Sequence, residues 1–327
     1  MKKLYIISCF LLTLFISNTL ISSSFAGKII ISNEGSDNIS IIDLDTYEII
    51  SNIESGKRPR DMKILKDKNQ LLVAASEDDI INIIDTNSYK IIGQIETGDD
   101  PEIFDISPDE KILVVSNEDD NEATVIDIQT GKIIRVIEDV GIEPEGVNFT
   151  PDGKLVFITS EGTNTIIVID PWIGEIIEEV LVGNRPRRGA FAKNGEEYWV
   201  TNELGGTVSV IDTNTFSIKH TINFERKGIR SSEITPVDFA MSNDGNLAYI
   251  TLGRSKHVAV VNTNNYEVID YILAGSRVWG PAITKDDKIL IVTNGQSDDI
   301  SIIDTDKRAS IKSIAVGITP HTVRIIE

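Results

Sequence analysis

The feature that most constrains this chain is a repeat. An acid or amide closes an apolar run at Asp43, Asp85, Asp127, Asp170, Asp212, Asn262 and Asp304, in successive steps of 42, 42, 43, 42, 50 and 42 residues. Residues 141 to 182, GIEPEGVNFTPDGKLVFITSEGTNTIIVIDPWIGEIIEEVLV, show the unit cleanly. Alternating apolar runs at Gly146 to Phe149, Leu155 to Ser160, Ile166 to Ile169 and Glu175 to Val182 each have the length of one strand. Between them, Pro151-Asp152-Gly153-Lys154 presets one backbone angle at the proline and tolerates positive φ at the glycine. The carboxylate of Asp170 can accept backbone N–H bonds from the turn that follows it. No helix-period pattern interrupts the run. Seven such units predict an all-β chain: a seven-bladed β-propeller of four-stranded antiparallel blades.

The first unit lacks its opening strand. Lys28 to Ser32, Ile39 to Asp43 and Glu48 to Ile53 supply strands two to four, and Pro320 to Ile326 matches the missing first strand. The two ends of the chain should therefore complete one blade, which removes the exposed sheet edges that template aggregation. The intact units run at roughly 58 to 97, 101 to 139, 144 to 182, 186 to 222, 236 to 273 and 279 to 315.

Residues 1–26 stand outside the repeat and read as a cleaved signal peptide, leaving 27–327 as one propeller domain. Lys2 and Lys3 form a basic start, Leu4 to Ile21 an apolar run, and Ser24-Phe25-Ala26 a small-x-small cleavage site before Gly27. The expected location is the periplasm, with no membrane insertion after cleavage. Cys9 is the sole cysteine and leaves with the signal, which excludes disulfides, thiolate metal sites and cysteine nucleophiles from the mature chain. The formal net charge of −20 becomes −22 without Lys2 and Lys3. A surface this acidic repels phosphate backbones and anionic lipids, so nucleic acid is not an expected partner.

Charge gathers in the loops leading into the first strands: Arg58-Pro59-Arg60, Asp100-Pro101-Glu102, Glu143-Pro144-Glu145, Arg185-Pro186-Arg187-Arg188, Thr235-Pro236-Val237-Asp238, Arg277-Val278-Trp279 and Thr319-Pro320-His321. In a propeller these loops surround one mouth of the central channel. Glu34, Glu77, Glu118, Glu161 and Glu203 end five of the second strands on the same face, and Gly253 and Gly295 replace the acid in the last two. One reading is that arginines and glutamates pair between blades and seal the mouth. The other is a binding ring of Arg58, Arg60, Glu102, Glu143, Glu145, Arg185, Arg187, Arg277, Trp279 and His321. The loss of the acid in two consecutive blades points toward function. Between Phe224 and Pro236 about eight extra residues carry Arg226, Lys227, Arg230 and Glu233, a candidate partner contact on the same face.

Motifs for phosphate-cradling loops, zinc hydrolases, serine nucleophiles and dinucleotides are absent. His220 falls in a fourth strand and His257 at the start of a third, which leaves His321 at the mouth. Glu118-Asp119-Asp120-Asn121-Glu122 lacks the alternating order of a calcium loop and reads as a solvated turn, so no metal is expected. Trp199 lies in a second strand and reads as core, Trp172 in an outer turn, and Trp279 as a plug at the mouth.

The strand ending Val/Ile-x-Val/Ile-Ile-Asp, the Gly-x-x-Pro lead-in and the Pro-Asp-Gly-Lys turn resemble the YVTN-repeat β-propeller family over residues 28 to 327. Gly56-Lys-Arg-Pro-Arg60, Ser116-Asn-Glu-Asp-Asp120, Gly141-Ile-Glu-Pro-Glu-Gly146, Arg185-Pro-Arg187, Asn202-Glu-Leu-Gly-Gly206, Arg277-Val-Trp279 and Thr293-Asn-Gly295 are similar to the β-propeller proteins associated with PQQ-dependent catabolism. That resemblance implies a periplasmic, non-enzymatic accessory protein in a PQQ-dependent alcohol or aldehyde oxidation system. It also implies a quinoprotein alcohol dehydrogenase or a cytochrome c as partner. Asp127-Ile-Gln-Thr-Gly-Lys132 is similar to a quinoprotein docking repeat, but Arg135 stands at the place of its tryptophan and the string occurs once. The chain is therefore expected to hold no cofactor, with PQQ bound by the partner. Seven-bladed propellers that resemble the YVTN group include lactone-hydrolysing members, which gives the alternative: a lactonase-like hydrolase using Glu145, Arg187 and His321 at the charged mouth.

Overall fold

The computed structural model describes residues 27–65 and 69–327, so the expected signal segment, residues 1–26 with Cys9, lies outside the described residues. Seven four-stranded antiparallel sheets follow one another as the repeat requires. Blade 1 contains Lys28–Asn33, Asn38–Asp43 and Ile49–Glu54, with Pro320–Ile326 as its innermost strand. Blades 2 to 7 span residues 59–96, 101–137, 144–181, 186–223, 239–273 and 278–315. The seven-bladed propeller expected from the sequence is the fold, and the ends close it in the expected way: Lys28 pairs with Ile326 and Ile30 with Arg324.

Second and third strands are buried along almost their whole length, which is why they read as runs of Ile and Val. Their side chains fill the wedges between blades. Val114, Val125, Val147, Ile158 and Ile167, for example, form one cluster shared by blades 3 and 4. Each such side chain contributes about 1.5–3 kcal/mol relative to exposure. Fourth strands alternate toward water, so that only Val180 is buried between Glu175 and Leu181.

The acid that closes each third strand caps the next turn. Asp43 Oδ1 accepts from the Asp45 and Thr46 N–H groups at 2.9 and 2.8 Å, and Asp170 Oδ1 does the same for Trp172 and Ile173. The Thr46 bond, the largest contribution, holds the Asp43 carboxyl below the ordinary aspartate range. The Gly-x-x-Pro lead-ins have a packing cause. In Gly317-Ile-Thr-Pro320 the Gly317 N–H donates to Asn33 Oδ1 at 3.1 Å, and a side chain at 317 would collide with that amide.

Blade 6 departs from expectation at its start. Its first strand covers only Phe239–Met241 rather than beginning at Pro236. The Asp238 N–H donates to Thr251 Oγ1 at 3.0 Å, as the equivalent N–H groups of Gly146, Arg188 and Gly280 donate to Thr159, Thr201 and Thr293 in the blades whose inner strands run full length. The preceding insertion is anchored: Phe224 and Ile234 are buried in the cluster between blades 5 and 6, with Ile229 packed against it. Its cations stay exposed. Arg226 lies over the Tyr271 ring, 5.5 Å from the centroid, and Arg230 pairs with Glu233 at 2.6 Å. Trp199 is fully buried, as its second-strand position requires.

Candidate functional site

One residue past each lead-in proline, or its equivalent, the seven blades present a ring: His321 from blade 1, then Arg60, Glu102, Glu145, Arg187, Val237 and Trp279 from blades 2 to 7, with Val237 just ahead of its inner strand. Six of the seven are buried, and Trp279 is half-buried. Ion pairs tie most of the ring together and cross it. Arg60 pairs with Glu34 of blade 1 at 3.1 Å, with Glu102 of blade 3, and with Glu145 of blade 4 at 3.5 Å. Arg58 reaches Glu34, Asp100 and Glu102 at 3.3, 3.0 and 3.2 Å.

On the other flank Arg187 meets Glu145 and Glu161 at 3.2 and 2.7 Å. Arg185 meets Glu161 at 2.7 Å and Glu203 at 3.4 Å. Arg277 of blade 7 spans blade 6 to reach Glu203 of blade 5 at 2.8 Å. Pairing or ring contact brings together nine of the ten residues expected at the mouth. Trp279 and His321 meet edge to face at 5.2 Å, and Arg277 stacks on Trp279 with 5.5 Å to the ring centroid. Arg58, Arg185 and Arg277 form the outer tier. Glu143 is exposed, and its carboxylate makes no ion pair among the described residues.

The electrostatics follow from crowding acids and arginines out of water. Burial alone would raise Glu145, but Arg187, Arg188 and Arg60 together hold its carboxyl down at about 2. Burial pushes Glu102 up to about 8 despite Arg60, with Glu145 adding to the push. Burial likewise lifts Glu161 to about 7. The carboxylates carry the cost of the crowding, while Arg60 and Arg187 stay protonated. His321 is buried and held neutral by burial and by Arg60, with Nδ1 3.1 Å from Thr322 Oγ1.

The acid positions at the ends of the second strands divide. Glu34, Glu161 and Glu203 join the belt, whereas Glu77 is exposed. Glu118 leaves its expected solvated turn for a half-buried place where its carboxylate lies within 4.8 Å of those of Asp100 and Glu102. These three acids could group around a cation, but Arg58 already bridges Asp100 and Glu102. The glycines of the last two blades have a packing cause. A Cβ at Gly295 would lie 2.8 Å from the Trp279 ring, so the indole occupies the place that an acid takes in other blades.

Beneath the ring lies a cavity of about 250 Å³ to which all seven inner strands contribute. Lys63 and Arg324 on its wall keep 23% and 28% of their side-chain exposure, so the cavity meets solvent on the side away from the ring. Its polar groups come from positions just past the ring. Arg188 Nη2 pairs with Glu145 at 3.1 Å, while the buried Nη1 makes no hydrogen bond among the described residues. Asp61 Oδ1 accepts from Arg324 at 2.6 Å, and its buried Oδ2 is likewise unpaired among the described residues.

Asp238 Oδ1 accepts from the Phe239 N–H at 2.7 Å. Burial raises its pKa, against the pull of Arg188. Asn148 lines the wall too and accepts from the Tyr198 hydroxyl at 2.9 Å. Tyr198 reaches across from the second strand of blade 5 because Gly189 leaves it room. Sequence reasoning singled out the ring and missed Asp61, Arg188, Asp238 and Asn148 as a set. The available signal was charge two residues past the prolines of blades 2, 5 and 6, where an inner strand points into the channel.

Residues 143–313 match the family described as lactonase, 7-bladed beta-propeller, and residues 70–202 match the YNCE-like beta-propeller family. No curated protein matches the chain. Among solved structures, a Bacteroides fragilis protein provisionally described as a 6-phosphogluconolactonase superposes with a TM-score of 0.77 at 21% identity, over 94% of this chain and 99% of that one. A functionally unknown protein from Desulfotomaculum acetoxidans gives 0.79 at 19% identity, over 92% and 99%. Hydrazine synthase of Kuenenia stuttgartiensis gives 0.77 at 19% identity, over 85% and 92%. At these identities the structures share the fold. No link to PQQ systems appears among these relatives.

Proposed function

The chain belongs to the seven-bladed β-propeller lactonase family, and from that premise we propose that it hydrolyses cyclic esters inside the channel cavity. The observation that carries the proposal is the presence, on the wall of one cavity, of an unsatisfied guanidinium N–H of Arg188 and the Asp238 carboxyl, whose pKa burial has raised. Arg188 donates to the lactone carbonyl and holds the oxyanion as it forms. Asp238 takes a proton from water as the water oxygen bonds to the carbonyl carbon. When the intermediate collapses, the ring C–O bond breaks and Asp238 returns the proton to the departing alkoxide.

This moves the base away from the Glu145, Arg187 and His321 set. Glu145 is permanently ionised by three arginines, and it serves to hold Arg188 in place. Periplasmic export, argued from residues 1–26, belongs to the same proposal, and the accessory role beside a PQQ enzyme gives way to the hydrolytic one.

The test is a panel of five- and six-membered lactones followed by proton release. The wild type should hydrolyse at least one, and Asp238→Asn should lose about 10²–10⁴-fold in rate. Because the base must be deprotonated, activity should climb with pH through a value above the ordinary aspartate range and fall away below it. A wild type inert across the panel would sink the reading.

A further inference from the structure

The face of the propeller around the ring is divided by charge. The loops that join second to third strands and those that enter the next blade all lie on it. From blades 2 and 3 they present Glu77, Asp79, Asp99, Asp119, Asp120 and Asp139, all but Asp79 and Asp99 carried beyond the ends of buried strands, all exposed, and none in an ion pair among the described residues. On the far side of the mouth, the loop entering blade 6 and the loop joining its second and third strands present Arg226, Lys227, Arg254 and Lys256, also exposed and without an ion pair among the described residues. Arg230 beside them is matched by Glu233, which leaves Glu225 as the exposed acid set against those four cations. The formal net charge of −20 makes exposed acids ordinary here, because solubility alone accounts for them. It does not account for cations gathered in one sector.

The same face also exposes apolar side chains on fixed loops. Ile142, Leu204 and Ile318 are each more than half exposed. The Gly162 N–H donates to the Ile142 carbonyl at 2.9 Å, the Gly35 N–H to that of Ile318 at 3.0 Å, and the Gly205 N–H, next to Leu204, to that of Asn184 at 3.0 Å. The cationic insertion is tied down as well, since the Glu225 N–H donates to the Tyr271 hydroxyl at 3.0 Å. Groups held in this way lose little freedom when a partner covers them.

Blades 3 and 6 are three steps apart one way round the ring and four the other, so the two sectors stand nearly opposite each other. A two-fold axis lying in the plane of the face, and running between the sectors, turns one copy over onto another. It lays each basic sector on the other copy's acidic one. Such an interface is isologous and closes at two copies. We propose that this face is a dimer interface, with a second copy of the chain as the partner. The cavity beneath the ring meets solvent on the opposite side, so pairing leaves it open.

The test is sedimentation of the purified chain over a concentration series. Copies of like net charge repel at long range, so the salt is set at about 0.15 M, where a Debye length of about 8 Å leaves the decision to the facing groups. The wild type should dimerise as its concentration rises to about 100 µM. One variant, Lys227→Glu with Arg254→Glu and Lys256→Glu, makes the basic sector acidic. The other, Glu77→Lys with Asp99→Lys, Asp119→Lys and Asp120→Lys, makes the acidic sector basic. All the substituted side chains are exposed, so the core is untouched.

Each variant alone should associate at least about tenfold more weakly than the wild type, because like charges then face each other. An equimolar mixture of the two should recover a one-to-one dimer within about threefold of the wild-type affinity, because every sector again meets its opposite. A mixture that fails to associate, or variants that dimerise as the wild type does, overturns the proposal. A wild type that stays monomeric overturns it too, and leaves the basic sector to an acidic partner of another kind.

Discussion

Arg60 shows what a single side chain is made to do when seven strands converge. It comes from blade 2 and pairs with acids of blades 1, 3 and 4, so it joins elements that share no hydrogen-bonded ladder. Arg60→Ala would leave Glu102 and Glu145 buried with less positive charge and should cost about 3–5 kcal/mol. Urea unfolding of the two proteins measures this, and a difference below about 1 kcal/mol would mean that the belt contributes little. The charge at Arg58, Arg60, Glu102, Glu145, Arg185 and Arg187 was visible in the sequence because proline marks each inner strand's start. Which acid each arginine meets was not, because partners lie 24 to 85 residues apart, as in Arg58 with Glu34 and Arg60 with Glu145. The unsatisfied atoms of Arg188 and Asp61 are less legible still, since an orphan is defined by everything that fails to reach it.

At the scale of the element, the blade was readable almost to the residue. The turn-capping acids, the buried Ile and Val runs and the Pro-Asp-Gly-Lys turn are local causes, and local causes leave local patterns. The last two blades show the limit of that logic. Repeat symmetry suggested that an acid missing at 253 and 295 served a ligand, whereas at 295 it gives room to an indole from the neighbouring strand of the same blade. Gly295→Ala should therefore displace Trp279, lowering stability by about 1–3 kcal/mol and shifting the tryptophan emission. A variant with an unchanged spectrum and melting temperature would show that the ring has slack there. Blade 6 was misjudged at its start: its inner strand begins only at Phe239, although Pro236 stands where a proline opens the inner strand of five other blades.

The whole molecule is a ring closed by its last strand. Pro320–Ile326 lies beside Lys28–Asn33 and seals blade 1, and His321 and Thr322 from that strand complete the ring and the cavity beneath it. Deleting residues 320–327 should leave blade 1 with an open edge and abolish the cooperative melt. A truncated chain that still melts as one sharp transition would argue that six blades and a remnant suffice.

The closure also sets an order in time. A chain is made from blade 1 to blade 7, yet the seam of blade 1 stays open until Pro320–Ile326 has appeared. Every earlier blade can fold against its neighbour while it waits, but the channel has no complete wall until then. A chain cut short at any point carries an unfinished seam and an incomplete pocket, so faulty copies expose the same edge, one that quality-control proteases and chaperones can recognise.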